Sequence, residues 1–76
     1  MEFSDLPELQ HQFLVALNKQ SGPATTSTLA MDDEISWPAL EALMSEKYAL
    51  AYPEPSGTLW TLAKRGRAYL RERGLL

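Results

Sequence analysis

The fold is decided by residues 59–70, which read Leu59-Trp60-Thr61-Leu62-Ala63-Lys64-Arg65-Gly66-Arg67-Ala68-Tyr69-Leu70. Residues 58–62 are rich in aromatic and β-compatible side chains and predict a short strand. From about Lys64 to Arg73 the spacing is that of an amphipathic helix with Tyr69 and Leu70 turned inward. Gly74 is expected to end this helix. A strand therefore leads directly into a C-terminal helix.

The residues just upstream supply a partner for this strand. Residues 48–52, Tyr48-Ala49-Leu50-Ala51-Tyr52, predict a second short strand. Between the two strands lies Pro53-Glu54-Pro55-Ser56-Gly57, which has the composition of a turn. The two strands are thus expected to form a hairpin.

Three helices are predicted before the hairpin, and the first of them spans about residues 5–20. Asp5-Leu6-Pro7-Glu8 resembles a capping box, and Ser21-Gly22-Pro23 is a strong stop signal. Apolar residues at helical spacing define one face of this helix. They are Leu6, Leu9, Phe13, Ala16 and Leu17.

The other two helices form a predicted helix-turn-helix. A short second helix, capped by Thr25 or Thr26, is expected around Leu29-Ala30-Met31, and Asp32-Asp33-Glu34 interrupts it. Ser36 can cap a third helix that tolerates Pro38 in its first turn and ends near Lys47. The buried stripe of the third helix is expected to consist of Leu40, Leu43 and Met44.

Composition limits the chain to one small folded domain. The length of 76 residues allows a single modest core, and a hydrophobic share of 45% with a charged share of 22% is ordinary for a globular domain. The absence of cysteine excludes disulfides and thiolate metal sites and fits a reducing compartment. We therefore expect a single domain over residues 1–76, located in the cytoplasm, with no signal peptide or membrane span.

Catalysis is not expected. His11 is the only histidine, and the chain has neither a cysteine nor a glycine-rich phosphate loop. Asp32-Asp33-Glu34 is interpreted as a solvated acidic turn and not as a metal site, because oxygen-ligand loops need more donors at wider spacing. No catalytic residue, cofactor, metal ion or small-molecule substrate is predicted, since so small a domain offers little room for an active-site pocket.

Charge is distributed unevenly along the chain. The formal net charge is −3, whereas a nucleic-acid-binding domain usually has a basic surface. Residues 1–63 contain two cationic and nine acidic residues, giving −7, while residues 64–76 contain five cationic residues and one acid, giving +4. This asymmetry indicates an electrostatic patch at the C-terminal end, unless the two parts pair with one another.

The order of these motifs resembles the bacterial winged helix-turn-helix transcriptional regulators over about residues 22–70. The resemblance rests on Gly22-Pro23-Ala24-Thr25 before Leu29-Ala30, on Ile35-Ser36, on Ser45-Glu46-Lys47-Tyr48-Ala49-Leu50, and most clearly on residues 59–70. It implies an α+β winged helix-turn-helix with a three-helix core, a hairpin wing and a C-terminal helix. It also implies a DNA-binding regulator whose third helix enters the major groove while the wing contacts the backbone or minor groove.

If nucleic acid is bound, the basic C-terminal segment is expected to hold it. Lys64, Arg67 and Arg71 fall at i, i+3 and i+7 and predict one stripe on the last helix. The alternative is that these cations favour the helix dipole and pair with the domain's own acids. The predicted nucleic-acid-binding residues are Lys64, Arg65, Arg67, Arg71 and Ser36.

The third helix departs from the pattern of a DNA reader. Its outward positions, which include Glu41 and Glu46, contain no Arg, Lys, Asn or Gln, the side chains that commonly read base edges. Small residues recur on the same face, where another helix could approach, and Trp37 could anchor a partner or cover the core edge. The predicted protein-interface residues are Trp37, Ala39, Ala42 and Ser45.

Two functions therefore stay open on the sequence. The first, favoured by the resemblance, is a DNA-binding transcriptional regulator. The alternative is a winged-helix module for protein–protein interaction that does not bind DNA, favoured by the acidic charge and the donor-poor third helix. Homodimerisation is compatible with either, because palindromic operators mirror two-fold symmetry and burial between subunits adds stability.

Overall fold

A computed structural model describes residues 6–20 and 22–76 of the protein. Within them the chain forms an α+β domain of three helices and a two-stranded antiparallel sheet. Every helix in this described part falls short of the length and hydrophobicity that a membrane crossing requires. In chain order the elements are α1 (Glu8–Lys19), α2 (Trp37–Ser45), β1 (Ala49–Tyr52), β2 (Leu59–Leu62) and α3 (Lys64–Glu72).

Helix α1 begins later than the sequence predicts. Pro7 is the N-cap residue, and no side-chain cap is formed within the described residues. The predicted capping residue Asp5 lies outside them. The buried face consists of Phe13, Leu14 and Leu17. Leu9, predicted to face inward, is 38% exposed.

The orientation of α1 explains why Leu9 is exposed. Phe13 packs edge-on against Trp60, with ring centroids 5.6 Å apart. At this rotation Gln10 faces α2, where its Nε2 donates to the Ala39 carbonyl oxygen at 2.9 Å. The predicted apolar face was therefore wrong at Leu9 and omitted Leu14, which is fully buried.

The predicted second helix does not form, and successive turns occupy residues 26–35. The Leu29 and Met31 amides donate to the Thr25 and Thr26 carbonyl oxygens, but Ala30 has a φ of 58°, which stops a right-handed helix. The hydroxyl of Thr25 accepts from the Thr28 amide, a local bond that competes with helix formation. Met31 and Ile35 still reach the core.

Helix α2 corresponds to the third helix of the sequence prediction. The Ser36 hydroxyl accepts from the Ala39 amide at 3.4 Å, so the predicted N-cap is confirmed. Leu40 and Leu43 are buried, and Met44 is half-buried. The helix ends at Ser45. After it, Lys47 has a φ of 65°, and the Tyr48 amide donates back to the Leu43 carbonyl oxygen at 2.8 Å.

The hairpin lies between α2 and α3 and is also joined to the segment that precedes α2. Its register pairs Ala49 with Leu62 and Tyr52 with Leu59. Ala24 and Trp60 exchange backbone hydrogen bonds of 3.0 and 2.8 Å, which adds a bridge on the other side of β2. Buried residues from every element contribute to one core.

Helix α3 closes the domain against the hairpin. Tyr69 and Leu70 are buried as predicted, and Gly74, with a φ of 71°, follows the end of the helix. Gly66 lies against the Tyr48 carbonyl, where the Cβ of any other residue would overlap the oxygen. Ala63 is the N-cap residue and provides no side-chain hydrogen bond.

Candidate binding surfaces

The exposed face of α2 is formed by Pro38, Glu41, Ala42 and Ser45, which outline a shallow cleft of about 370 Å³. We call it the α2 face. Ala39 was predicted to point outward beside Ala42 and Ser45, and this is corrected: it is half-buried and packs against the core. The reason is the rotation that buries Leu40 and Leu43, which turns the neighbouring residue 39 toward α1.

Trp37 stands exposed at the start of α2. Its indole Nε1 donates to a carboxylate oxygen of Glu41 at 3.1 Å, and 53% of the residue is accessible. Its ring lies edge-on to the buried Trp60, with centroids 6.3 Å apart. These contacts hold a large amphipathic side chain in one orientation at the surface.

Trp37 also borders a second cleft, of about 400 Å³, between the turns of residues 25–32 and the hairpin loop. The other walls include the hydroxyls of Thr26 and Ser56 and the carboxylate of Asp32, which is hydrogen-bonded to Thr26. The indole is thus close to both this polar cleft and the α2 face.

The electrostatics around α2 are acidic. Asp32, Asp33 and Glu34 are exposed in the preceding turn, and Glu41 and Glu46 are exposed on the helix. The α2 face itself contains no Lys, Arg, Asn or Gln. A phosphate backbone would meet carboxylates here, and base edges would find few side-chain donors.

Arg65 and Arg67 are engaged within the domain. One Arg65 nitrogen lies 3.1 Å from both the carbonyl oxygen and a carboxylate oxygen of Glu46, and its guanidinium stacks 4.8 Å from the Tyr48 ring centre. Arg67 donates to the Leu62 carbonyl oxygen at 3.0 Å. Both cations therefore hold α3 against neighbouring elements.

Of the predicted stripe of Lys64, Arg67 and Arg71, only Arg67 is bound to another part of the domain by these contacts. Arg67 borders a cleft beside β2 and the end of α1. Lys64 and Arg71 are exposed, and neither forms an ion pair within residues 6–20 and 22–76. Ser36, also predicted to contact nucleic acid, uses its hydroxyl to cap α2.

Lys64 instead belongs to a groove that sequence reasoning missed. Its lining joins the end of α2, β1 and the first turns of α3 around a volume of about 500 Å³. We call it the α3 groove. One signal in the sequence could have indicated this groove. Successive side chains of a strand point to opposite faces, so Leu50, which follows the buried Ala49 in β1, had to face outward. The lining residues are Lys47, Leu50, Ala63, Lys64, Arg65 and Ala68.

No group of three metal-ligating side chains comes together among the residues that the structure describes. No protein family, curated protein or solved structure matches this chain significantly in comparisons of sequence and fold.

Proposed function

We propose that this chain is a winged-helix module that binds another protein through the α2 face together with the neighbouring Trp37, which is the central contact. The observation that carries the proposal is the exposed Trp37 indole, fixed by Glu41 and close to two clefts. Tryptophan is enriched among the residues that dominate protein interfaces, because it supplies a large rigid contact with a polar edge.

The arrangement of elements supports the winged-helix part of this proposal. A hairpin follows α2 and leads into α3, and the Ala24–Trp60 bridge attaches the segment between α1 and α2 to the same sheet. Turns replace the helix that would precede the reading helix of a helix-turn-helix. The missing helix weakens the case for major-groove reading more than the case for protein binding.

Charge indicates what kind of protein would fit. The α2 face and the adjacent turn present carboxylates of Asp32, Asp33 and Glu41, so a partner with cations around an apolar recess would be complementary. A symmetric dimer through this face would place the same acids opposite one another, which is unfavourable. The proposal is therefore a heterologous partner.

DNA binding is the second candidate, and one observation favours it. Lys64 and Arg71 are exposed on α3 without an ion pair in the described part of the chain. Contacts from these two residues would reach phosphates and not bases, so binding would be salt-sensitive and weakly sequence-specific. Replacing both with Gln would then reduce the affinity and its dependence on salt.

Site-specific photo-crosslinking tests the protein-binding proposal. A benzophenone side chain is placed at Ala42, on the α2 face, in cells that express the chain natively, and the adducts are treated with nuclease. We expect a discrete adduct that resists nuclease and disappears when Trp37 is replaced with Ala. The matched control places the same group at Lys19, which is exposed at the end of α1.

Three outcomes would refute the proposal. A nuclease-sensitive adduct would identify nucleic acid as the partner. An adduct that persists in Trp37→Ala, in a variant shown to be folded by urea denaturation, would exclude the indole as the central contact. Equal labelling from positions 42 and 19 would show that capture is not specific to the α2 face.

A further inference from the structure

The α3 groove has a cationic rim and an apolar floor. Lys47 follows α2, Lys64 opens α3, and both side chains are exposed. Leu50 and Ala68 line the same groove, and Leu50 is 40% exposed. Water solvates the exposed aliphatic side chain poorly, and a ligand with complementary charges for the lysines can cover it.

The local charge balance at this groove is positive. Arg65 also lines it, and Glu46, with which Arg65 pairs, is not among the lining residues. Lys47 and Lys64 form no ion pair within residues 6–20 and 22–76. Two lysine charges are therefore available to a ligand at the rim.

Within the described residues β1, which contributes Leu50 to the groove, pairs with β2 alone, so its other edge carries no strand. An extended segment of another chain can use such an edge for backbone contacts while its side chains enter the adjoining groove.

We infer that the α3 groove binds an extended acidic peptide segment with an apolar side chain at its centre. The apolar side chain covers Leu50 and Ala68, and flanking carboxylates pair with Lys47 and Lys64. This surface is separate from the α2 face and takes a ligand of opposite charge, so the inference goes beyond the function proposed above.

Other polyanions fit the groove less well. A phosphate backbone has no apolar group to cover Leu50. A duplex or an anionic bilayer also extends well beyond the groove and meets the rest of the chain, where residues 1–63 carry −7. A second copy of the chain joined groove to groove would bring the lysines of both copies together. A short acidic segment avoids all three conflicts.

The test uses a defined probe, a fluorescein-labelled synthetic peptide in which a central leucine-phenylalanine pair is flanked on both sides by glutamates. Fluorescence anisotropy measures its affinity for the full chain at low salt. Two matched probes replace the glutamates with glutamines or the apolar pair with serines. The inference requires that the first probe binds more tightly than both matched probes.

Variants of the chain locate the binding. We expect the double variant Lys47→Gln, Lys64→Gln to weaken the first probe about tenfold, as the loss of two exposed ion pairs implies. Leu50→Ser should also weaken binding of the first probe, which should then bind no more tightly than the serine probe. Lys19→Gln, which removes a lysine distant in sequence from the groove, should leave the affinity unchanged.

The inference is overturned if the acidic apolar probe binds no better than its analogues, or if the double lysine variant retains full affinity. The variant Trp37→Ala distinguishes failure of this inference from failure of the proposed function, because Trp37 is the central contact of the proposed function and does not line the α3 groove. It should leave probe binding unchanged, and a parallel loss of probe binding in a folded Trp37→Ala variant would contradict the separate groove.

Discussion

Glu46 and Arg65 join the C-terminal end of α2 to the first turn of α3, with one guanidinium nitrogen 3.1 Å from both the carbonyl oxygen and a carboxylate oxygen of Glu46. Their side chains are 63% and 38% exposed. The contact matters for function because it engages one of the cations that the sequence assigns to nucleic acid.

Replacing Glu46 with Gln should change the free energy of unfolding by less than about 1 kcal/mol, because both partners are exposed and the carbonyl contact remains. Urea denaturation measures this change. Glu54→Gln, in the hairpin loop, is the matched control and should have no effect. A loss several times larger for Glu46→Gln would mean that the ion pair is a major source of stability.

Gly66→Ala should destabilise the domain by about 2 kcal/mol or more, because the added methyl overlaps the Tyr48 carbonyl oxygen and forces α3 away from β1. Gly22→Ala is the matched control, since among the described residues other than its chain neighbours no atom lies within 4 Å of the position that its Cβ would take. Thermal denaturation compares the two variants. Similar melting temperatures for them would contradict the close packing of α3 on β1.

Lys47→Gly should stabilise the domain by about 0.5–1 kcal/mol, because Lys47 has a φ of 65° after the end of α2, where glycine is preferred. The same substitution at Lys19, within the last turn of α1, should cost up to about 1 kcal/mol. Opposite signs in urea denaturation are expected. Destabilisation by Lys47→Gly would contradict the left-handed conformation at this residue.

Ala63→Ser should stabilise α3 by about 0.5–1 kcal/mol, because Ala63 is the N-cap residue and forms no side-chain cap. Ala68→Ser makes the same change inside the helix, where no free amide is available, and should be neutral or slightly destabilising. Chemical denaturation distinguishes the two. Equal effects would show that the hydroxyl at residue 63 does not cap.

The sequence predicted the elements that depend on local signals. Ser36 caps α2, Leu40 and Leu43 form its buried side, and Gly74 follows α3, all as expected from residue type and spacing. The hairpin was likewise predictable, because alternating β-compatible residues flank a turn of Pro and Gly. The α+β class follows from these elements.

Other features could not be predicted from residue type and spacing. The helix expected around Leu29 fails, because Thr25 bonds locally and Ala30 takes a left-handed conformation. The Arg67 side chain donates to the Leu62 carbonyl oxygen and so does not extend outward beside Lys64 and Arg71, as its spacing predicts. The α3 groove joins Lys47 to Lys64 through folding alone, since the hairpin separates them in sequence.

The central claim, that the partner is a protein and not duplex DNA, is tested most directly by anisotropy titration with random-sequence duplex DNA from about 50 mM to about 200 mM salt. The acidic α2 face and the internal pairing of Arg65 predict no saturable binding, even at the lowest salt. Saturable binding that weakens steeply with salt, and whose salt dependence is reduced by replacing Lys64 and Arg71 with Gln, would contradict the claim.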